Sequence, residues 1–369
     1  MDVEALLRFA VEKDASDVHI QSGSRPMLRV DGQMRSVAMD PIDEATARRF
    51  IEEVLPEDKK AVLDTALQQG LDFSYAIAGL ARFRCSVYRQ LGTIGVAIRI
   101  IHLRVPSLDE LNLPKVIHDI ALARRGLILV TGTTGCGKST TLAAMMNLIN
   151  SAYRCKIITI EDPVEFVYEP DHSMISQFEV GADTPSFGCA LRQSLRQDPD
   201  VILIGELRDA DSLRIALHAA DTGHQVFSTI HSAEAPQTVE RVISMFPPAE
   251  HQLLLSQLAS SLEAIISQRL VRTIEGGRRP AVEVLRGSAV SEYYVMENQL
   301  GELRKYLETG DSGMQSFDQH LMRMYQDGVI NAEEALRNAS NAEKLSLKMR
   351  MSARRRRGEA EEIALKPTD

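Results

Sequence analysis

The chain has little cysteine, no surplus of positive charge and no long apolar run. Its four cysteines, Cys85, Cys136, Cys155 and Cys189, are scattered. They form no Cys-x-x-Cys pair, and no histidine stands near them at ligand spacing, which argues against structural zinc and points to a reducing compartment. The 42 basic residues fall short of the 51 acidic ones, giving a net charge of -9. A general nucleic-acid binder neutralises phosphates, so no direct nucleic-acid partner is expected and any basic surface must be local. The start, Met1-Asp2-Val3-Glu4, is acidic where a signal peptide is basic. No apolar stretch approaches the roughly 18 residues of a membrane span. A cytoplasmic protein, at most peripheral to a membrane, is expected.

What the chain does contain is Gly132-Thr133-Thr134-Gly135-Cys136-Gly137-Lys138-Ser139, after the apolar run Leu127-Ile128-Leu129-Val130-Thr131 and before Thr140-Thr141-Leu142-Ala143. A buried strand, a glycine-rich turn and a helix start are the setting of a phosphate-binding loop. The glycines let successive N–H groups converge on one anion, and the helix N-terminus adds partial positive charge. Thr133, Thr134, Gly135, Cys136, Gly137, Lys138, Ser139 and Thr140 are therefore the expected ATP-binding set, with Lys138 on the β- and γ-phosphates and Ser139 on Mg2+.

At 369 residues, two domains are expected. Residues 1–104 mix helices and strands. Val3 to Val11 has helical spacing, and Ser16 to Ile20 alternates as a strand. Asp31-Gly32 makes a hairpin turn between Met27–Val30 and Met34–Val37. Asp43 caps a helix to about Leu55, and Glu57 to Gln69 reads as another. Strands follow at Asp72–Ala76, Ala81–Gln90 and Gly95–Ile101, making a compact α+β domain. Arg104-Val105-Pro106 reads as a hinge. In residues 105–345 the apolar strands Lys156–Ile160, Val201–Ile204 and Gln225–Thr229 alternate with helical segments, which implies an α/β domain with a parallel sheet and ligands at its carboxyl edge. A helical region runs from Gln315 to about Asn338. Residues 346–369, with Arg354-Arg355-Arg356-Arg357, read as a charged, disordered tail; the sharper alternative is a foothold on anionic lipid or a partner.

Hydrolysis needs more than a phosphate loop: a group must orient water, and positive charge must meet the phosphates. Two acidic clusters end predicted strands, Glu161-Asp162-Pro163-Val164-Glu165 and Gly205-Glu206-Leu207-Arg208-Asp209. His224 and His231 flank one strand, and their spacing decides nothing by itself. Arg82, Arg84, Arg89, Arg99 and Arg104 lie on the strands and hinge of the first domain, where guanidinium groups could serve a γ-phosphate at a domain or subunit junction.

These motifs in order, with Leu191-Arg192-Gln193-Ser194-Leu195-Arg196-Gln197-Asp198-Pro199-Asp200 between the acidic clusters and the paired Thr222-Gly223-His224 and Thr229-Ile230-His231 after them, resemble the secretion ATPases of type II secretion and type IV pili. The resemblance runs from about Ala15 to Leu347. It implies that Glu165 activates water, that Glu206 is the Walker B acid near Mg2+, with Gly205 where other P-loop enzymes place aspartate, and that His224 and His231 sense the γ-phosphate. It likewise implies that Arg82, Arg84, Arg99 and Arg104 contact nucleotide. The implied architecture is an N-terminal domain similar to a PAS fold hinged to a RecA-like domain, assembled as a homohexamer. Ala15-Ser16-Asp17-Val18-His19-Ile20 and Gly313-Met314-Gln315-Ser316-Phe317-Asp318-Gln319 resemble the retraction branch, the PilT and PilU motors. The missing cysteine pairs set the chain apart from the extension and type II relatives. Where PilT carries Ala-Ile-Arg-Asn-Leu-Ile-Arg-Glu, this chain reads Val290-Ser291-Glu292-Tyr293-Tyr294-Val295-Met296-Glu297, which with the long tail points to a PilU-like or divergent motor. The expected partners are an inner-membrane pilus platform protein and a paralogous pilus motor. A traffic ATPase for DNA uptake or secretion, and a nucleotide-gated scaffold, are the rival functions.

Overall fold

The structure, a computed structural model, describes residues 2–30, 32–56, 60, 63, 68, 70–101 and 104–352. The chain divides into two compact units, Met1–Arg104 with Glu165–Val167, and Val105–Val164 with Tyr168–Asp369.

The first unit is an antiparallel sheet with helices packed on it. Among the described residues its strands are β1 (Asp17–Gln21), β2 (Met27–Val30), β3 (Gln33–Ser36), β4 (Leu71–Ile77), β5 (Ala81–Gln90) and β6 (Thr93–Ile101), in the order β3-β2-β1-β6-β5-β4. Period-2 alternation fixes which face is buried. Phe83, Cys85 and Val87 of β5 join Val18, Ile20, Val96 and Ile98 in a core closed by the helices Val3–Glu12 and Glu44–Val54. The helices start where short acids can cap them: Asp2 accepts the Ala5 N–H at 3.0 Å and Asp43 that of Thr46 at 2.8 Å. Arg82, Arg84, Asp17 and Arg99 alternate onto the opposite face. Gly32 has φ 77, as the hairpin turn requires, while Asp31 and most of the helix expected at Glu57–Gln69 lie outside the described residues.

The second unit is built on β7 (Gly126–Gly132), β8 (Lys156–Glu161), β9 (Met174–Glu179), β10 (Val201–Ile204), β11 (Gln225–Ile230), β12 (Leu262–Arg272) and β13 (Arg278–Arg286). Their order is β13-β12-β7-β11-β10-β8-β9, parallel except for β13. Every residue of β7, β10 and β11 is buried, which is why β7 and β10 read in sequence as mostly apolar runs without alternation, while Gln225, Ser228 and Thr229 of β11 are buried with side-chain hydrogen bonds to the carbonyls of Ala121, Ile204 and Gly205. Strands β9, β12 and β13 were not among those expected. The helix His251–Ser261 passes into β12 at Leu262 with no intervening residue, so no glycine or proline marks the change. The helices Phe317–Gln326 and Ala332–Asn338 pack on β12 and β13 through Phe317, Leu321 and Ala335. Met349 joins this cluster at 6% exposure, so packing extends beyond residue 345, where composition alone suggested the tail begins. Arg354–Arg357 lie outside the described residues.

Strand β13 carries a buried acid, Glu283. Burial pushes its carboxyl up to about 7, against the pull of the Ala235 N–H it accepts at 2.7 Å; neighbouring Glu234 adds to the upward shift, while Arg304 and Arg269 oppose it. A raised carboxylate favours folding at low pH, and that stability is lost as pH rises from the unfolded value through the folded one. Glu283→Gln should therefore be more stable than the parent at pH 8, by on the order of 3 kcal/mol, and nearly equal to it at pH 5. Urea melts at both pH values check this. His320, held down to about 4 chiefly by burial, gives the opposite slope on acidification. It is common to both chains, so their difference isolates Glu283. An equal difference at both pH values would show that Glu283 stays ionised.

Candidate active site

Strand β7 delivers the phosphate loop, and the helix Lys138–Ala152 receives it. Gly132 has φ 142, and a Cβ there would stand 2.5 Å from both Cys136 Sγ and the Gln268 carbonyl oxygen. Gly137, the N-cap, is left-handed at φ 93 and brings no side chain to the helix start, so the first N–H groups stay available to an anion. The Lys138 ammonium donates to the carbonyls of Gly132 at 3.0 Å and Thr133 at 3.1 Å. It is thus folded over the interior of the loop, within which phosphate oxygens would replace those carbonyls as its partners. Strand β12 braces this arrangement: Thr131 Oγ1 donates to Ser267 Oγ at 2.9 Å and Gln268 Nε2 to Thr141 Oγ1 at 2.9 Å. Neither Ser267 nor Gln268 carries a motif, so sequence reasoning missed both.

Glu206 follows β10 at the same carboxyl edge. The preceding Gly205 donates its N–H to the Ile160 carbonyl at 2.7 Å, and a Cβ on it would lie 3.3 Å from the Glu161 Cα. An aspartate here would press on the end of β8, which gives a steric reason for the glycine. Thr229 Oγ1 donates to the Gly205 carbonyl at 2.8 Å and fixes the turn. The Glu206 carboxylate accepts from Arg208 Nε at 2.8 Å on one oxygen and lies 3.2 Å from His231 Nε2 on the other. The sequence assigns no role to Arg208, although its place two residues after Glu206 is a usable signal. At the end of β8, buried Glu161 accepts from Thr159 Oγ1 at 2.7 Å.

Strand register separates the two histidines. Ile230 pairs with Thr131, so His231 emerges beside the start of the phosphate loop. Gln225 pairs with Gly126, so His224 sits at the opposite edge, where Nδ1 meets the Ala219 carbonyl at 3.0 Å. With the six residues of β11 between them, the histidines are seven steps apart along the strand, about 23 Å at ~3.3 Å per residue. Within one chain, His231 joins Glu206 and the phosphate loop, and His224 does not.

In the first unit, Arg84 of β5 and Arg99 of β6 are paired directly across the ladder, with Arg82 two positions along on the same face. Like charges in direct register disfavour a sheet. Acids flank this pair: Asp17 lies 3.2 Å from Arg99 and 3.6 Å from Arg29, and Asp72 lies 3.8 Å from Arg84. Asp17 thereby acquires a definite task, holding Arg99 on the exposed face. Arg104 ends the first unit, and Glu165, with Phe166 and Val167, groups with that unit rather than with the strand it follows.

Among the described residues no group of three or more acids, histidines or cysteines could hold a metal by itself. Mg2+ needs only one or two protein ligands beside phosphates and water, and Ser139 with Glu206 suits that pattern. No helix among the described residues is long and apolar enough to cross a membrane.

Residues 1–362 match the type II/IV secretion system protein family. The chain is 39% identical over 340 residues to the type IV pilus retraction ATPase PilT of Pseudomonas aeruginosa, covering 92% of this chain and 98% of that protein. It is 37% identical over 355 residues to the type IV pilus ATPase PilU of the same organism, covering 96% and 92%. A crystal structure of the pilus retraction motor PilT with bound ADP superposes with a TM-score of 0.87 at 36% identity, covering 94% of this chain and 99% of that one. The chain belongs to the type II/IV secretion system protein family, as an ATPase of its PilT-like retraction branch.

Proposed function

We propose that this chain is the ATP-driven motor of type IV pilus retraction, a homohexamer working in the cytoplasm on a platform protein of the inner membrane, beside a paralogous motor. The observation that carries the reading is the convergence of Lys138, Glu206 and His231 on one sheet edge, in a chain that spans 98% of a retraction ATPase. ATP would be held by Thr133 to Thr140, with Lys138 on its β- and γ-phosphates. Bound Mg2+ would neutralise phosphate charge as the bond breaks. Ser139 and Glu206 would hold the metal, Glu165 would take the proton of the attacking water, and His231 would register the γ-phosphate through Glu206. Arg82, Arg84, Arg99 and Arg104 would supply guanidinium charge to the phosphates; the direct register of Arg84 with Arg99 across β5 and β6, which gathers two like charges on one face, supports that reading. His224, turned onto the Ala219 carbonyl, is assigned to holding the start of β11.

The domain division at residue 104 serves this reading, since hydrolysis drives motion only if separate bodies respond to the γ-phosphate. On the helix Ala289–Met296, Val290 and Tyr293 are 42% and 51% exposed where arginines would be expected of a PilT-like motor, which supports a PilU-like or divergent motor.

Deleting the gene in its source organism and counting surface pili tests the proposal. Excess pili that the intact gene reverses, and the Lys138→Ala gene does not, are expected. Loss of pili would indicate assembly, normal pili would detach the chain from them, and full rescue by Lys138→Ala would favour a scaffold.

A further inference from the structure

Glu234 stands at the N-cap of the helix Ala235–Ser244, where serine, threonine, aspartate or asparagine would be usual, and its side chain makes no capping hydrogen bond. The first helical N–H, that of Ala235, goes instead to Glu283 of β13. The Glu234 carboxylate, in a residue 6% exposed, turns to three other segments. One oxygen accepts from Arg269 of β12 at 3.2 Å and from the Ser340 hydroxyl beyond the helix Ala332–Asn338. The other accepts from Arg304 of the helix Leu300–Leu307. Burial pushes the Glu234 carboxyl up, but the Ser340 hydroxyl and the guanidinium groups of Arg304 and Arg269 outweigh it and hold it below its usual value.

An ionic junction around a buried carboxylate is weak evidence for stability, because apolar residues of similar volume often serve as well or better. This one has a positional consequence. Glu234 ends the connection that His231 begins, and three residues span at most about 10 Å. That connection is stiff at its middle: the Ser232 and Thr238 hydroxyls meet at 2.7 Å, and Thr238 Oγ1 donates to the Glu234 carbonyl at 2.9 Å. One end therefore faces Glu206 through His231, and the other is clamped to β12 and the C-terminal helices. A displacement of the clamp moves the histidine.

We infer that Glu234 is a positioning residue for ATP hydrolysis: with Arg269 and Arg304 it seats the His231–Glu234 connection so that His231 meets Glu206, and it makes turnover depend on the docking of the C-terminal helices. The inference rests on the assignment of His231 and Glu206 to the active site. Steady-state ATPase kinetics of the full-length chain test it, using Glu234→Gln, Arg304→Met, His231→Ala and the double variant Glu234→Gln/His231→Ala. Glu234→Gln and Arg304→Met should each lower kcat about tenfold with KM for ATP within about twofold, since a misplaced His231 weakens the transition state while the phosphate loop that binds ATP is unchanged. The double variant should be no slower than His231→Ala alone, because residues acting through one another are not additive. A role confined to stability would lower the melting temperature and leave kcat at 25 °C unchanged, which overturns the inference. A further tenfold loss in the double variant also overturns it. If Glu234→Gln does not fold, Arg304→Met, whose side chain is 46% exposed, carries the same test alone and on the His231→Ala background. Unchanged turnover in His231→Ala would instead refute the active-site assignment itself.

Discussion

Lys138→Ala should bind ATP weakly and hydrolyse it at no measurable rate, a loss of at least about a thousandfold, with the fold intact. The ammonium is the only side-chain cation in the eight-residue loop, and its two partners are the loop's own carbonyls. A charge-assisted hydrogen bond to phosphate contributes about 1.5–3 kcal/mol, and the γ-phosphate needs that charge most as the bond to the leaving group lengthens. The absence of two or more such hydrogen bonds from the transition state accounts for the expected magnitude, since each 1.4 kcal/mol is a factor of about ten. The substitution also leaves the Gly132 and Thr133 carbonyls without the ammonium, so some loss of thermal stability should accompany it. The measurement is a phosphate-release assay with circular dichroism as the control for folding. Lys138→Arg should not restore activity, because a planar guanidinium cannot follow the path of a compact ammonium through this loop. Hydrolysis at the parent rate in the alanine variant would remove the loop from the catalytic site.

The phosphate loop was legible because its chemistry is local: eight consecutive residues bring the glycine angles, the cation and the helix start together. The first sheet was legible for a similar reason, since alternation along β5 separates Phe83, Cys85 and Val87 from Arg82, Arg84 and Ser86 without knowledge of any partner strand. What escaped depends on register and tertiary pairing. The histidines of Thr-Gly-His and Thr-Ile-His look equivalent in sequence, yet an intervening strand of six residues puts them at opposite edges of a parallel sheet. Strand β12 was hidden because a helix runs straight into it, and with it were hidden Ser267 and Gln268, which brace the loop from far along the chain. Glu234 reads in sequence as an ordinary acid before a helix. Its partners Arg269, Arg304 and Ser340 are supplied by β12 and by segments after it.

Glu165→Gln and Glu206→Gln should both slow turnover by about a hundredfold or more, for reasons that one titration separates. Glutamine keeps the size and the hydrogen-bonding capacity of glutamate and removes its charge and basicity. If Glu165 takes the water's proton, Glu165→Gln should bind ATP and Mg2+ as the parent does and lose only kcat, and extra Mg2+ should recover nothing. Glu206 has a different setting: Arg208 and His231 each meet one oxygen of its carboxylate, and removing the charge disturbs both. If Glu206 is the carboxylate on Mg2+, Glu206→Gln should need several-fold more Mg2+ for half-maximal rate, because the hard cation would lose that ligand and keep only Ser139 and the phosphates. The ATPase rate against free Mg2+ at saturating ATP is the decisive curve. A shift of that curve in Glu165→Gln but not in Glu206→Gln would exchange the two roles. An unchanged kcat in Glu165→Gln would move the base elsewhere, and Glu161, buried at the end of β8 beside Gly205, is the carboxylate next in line.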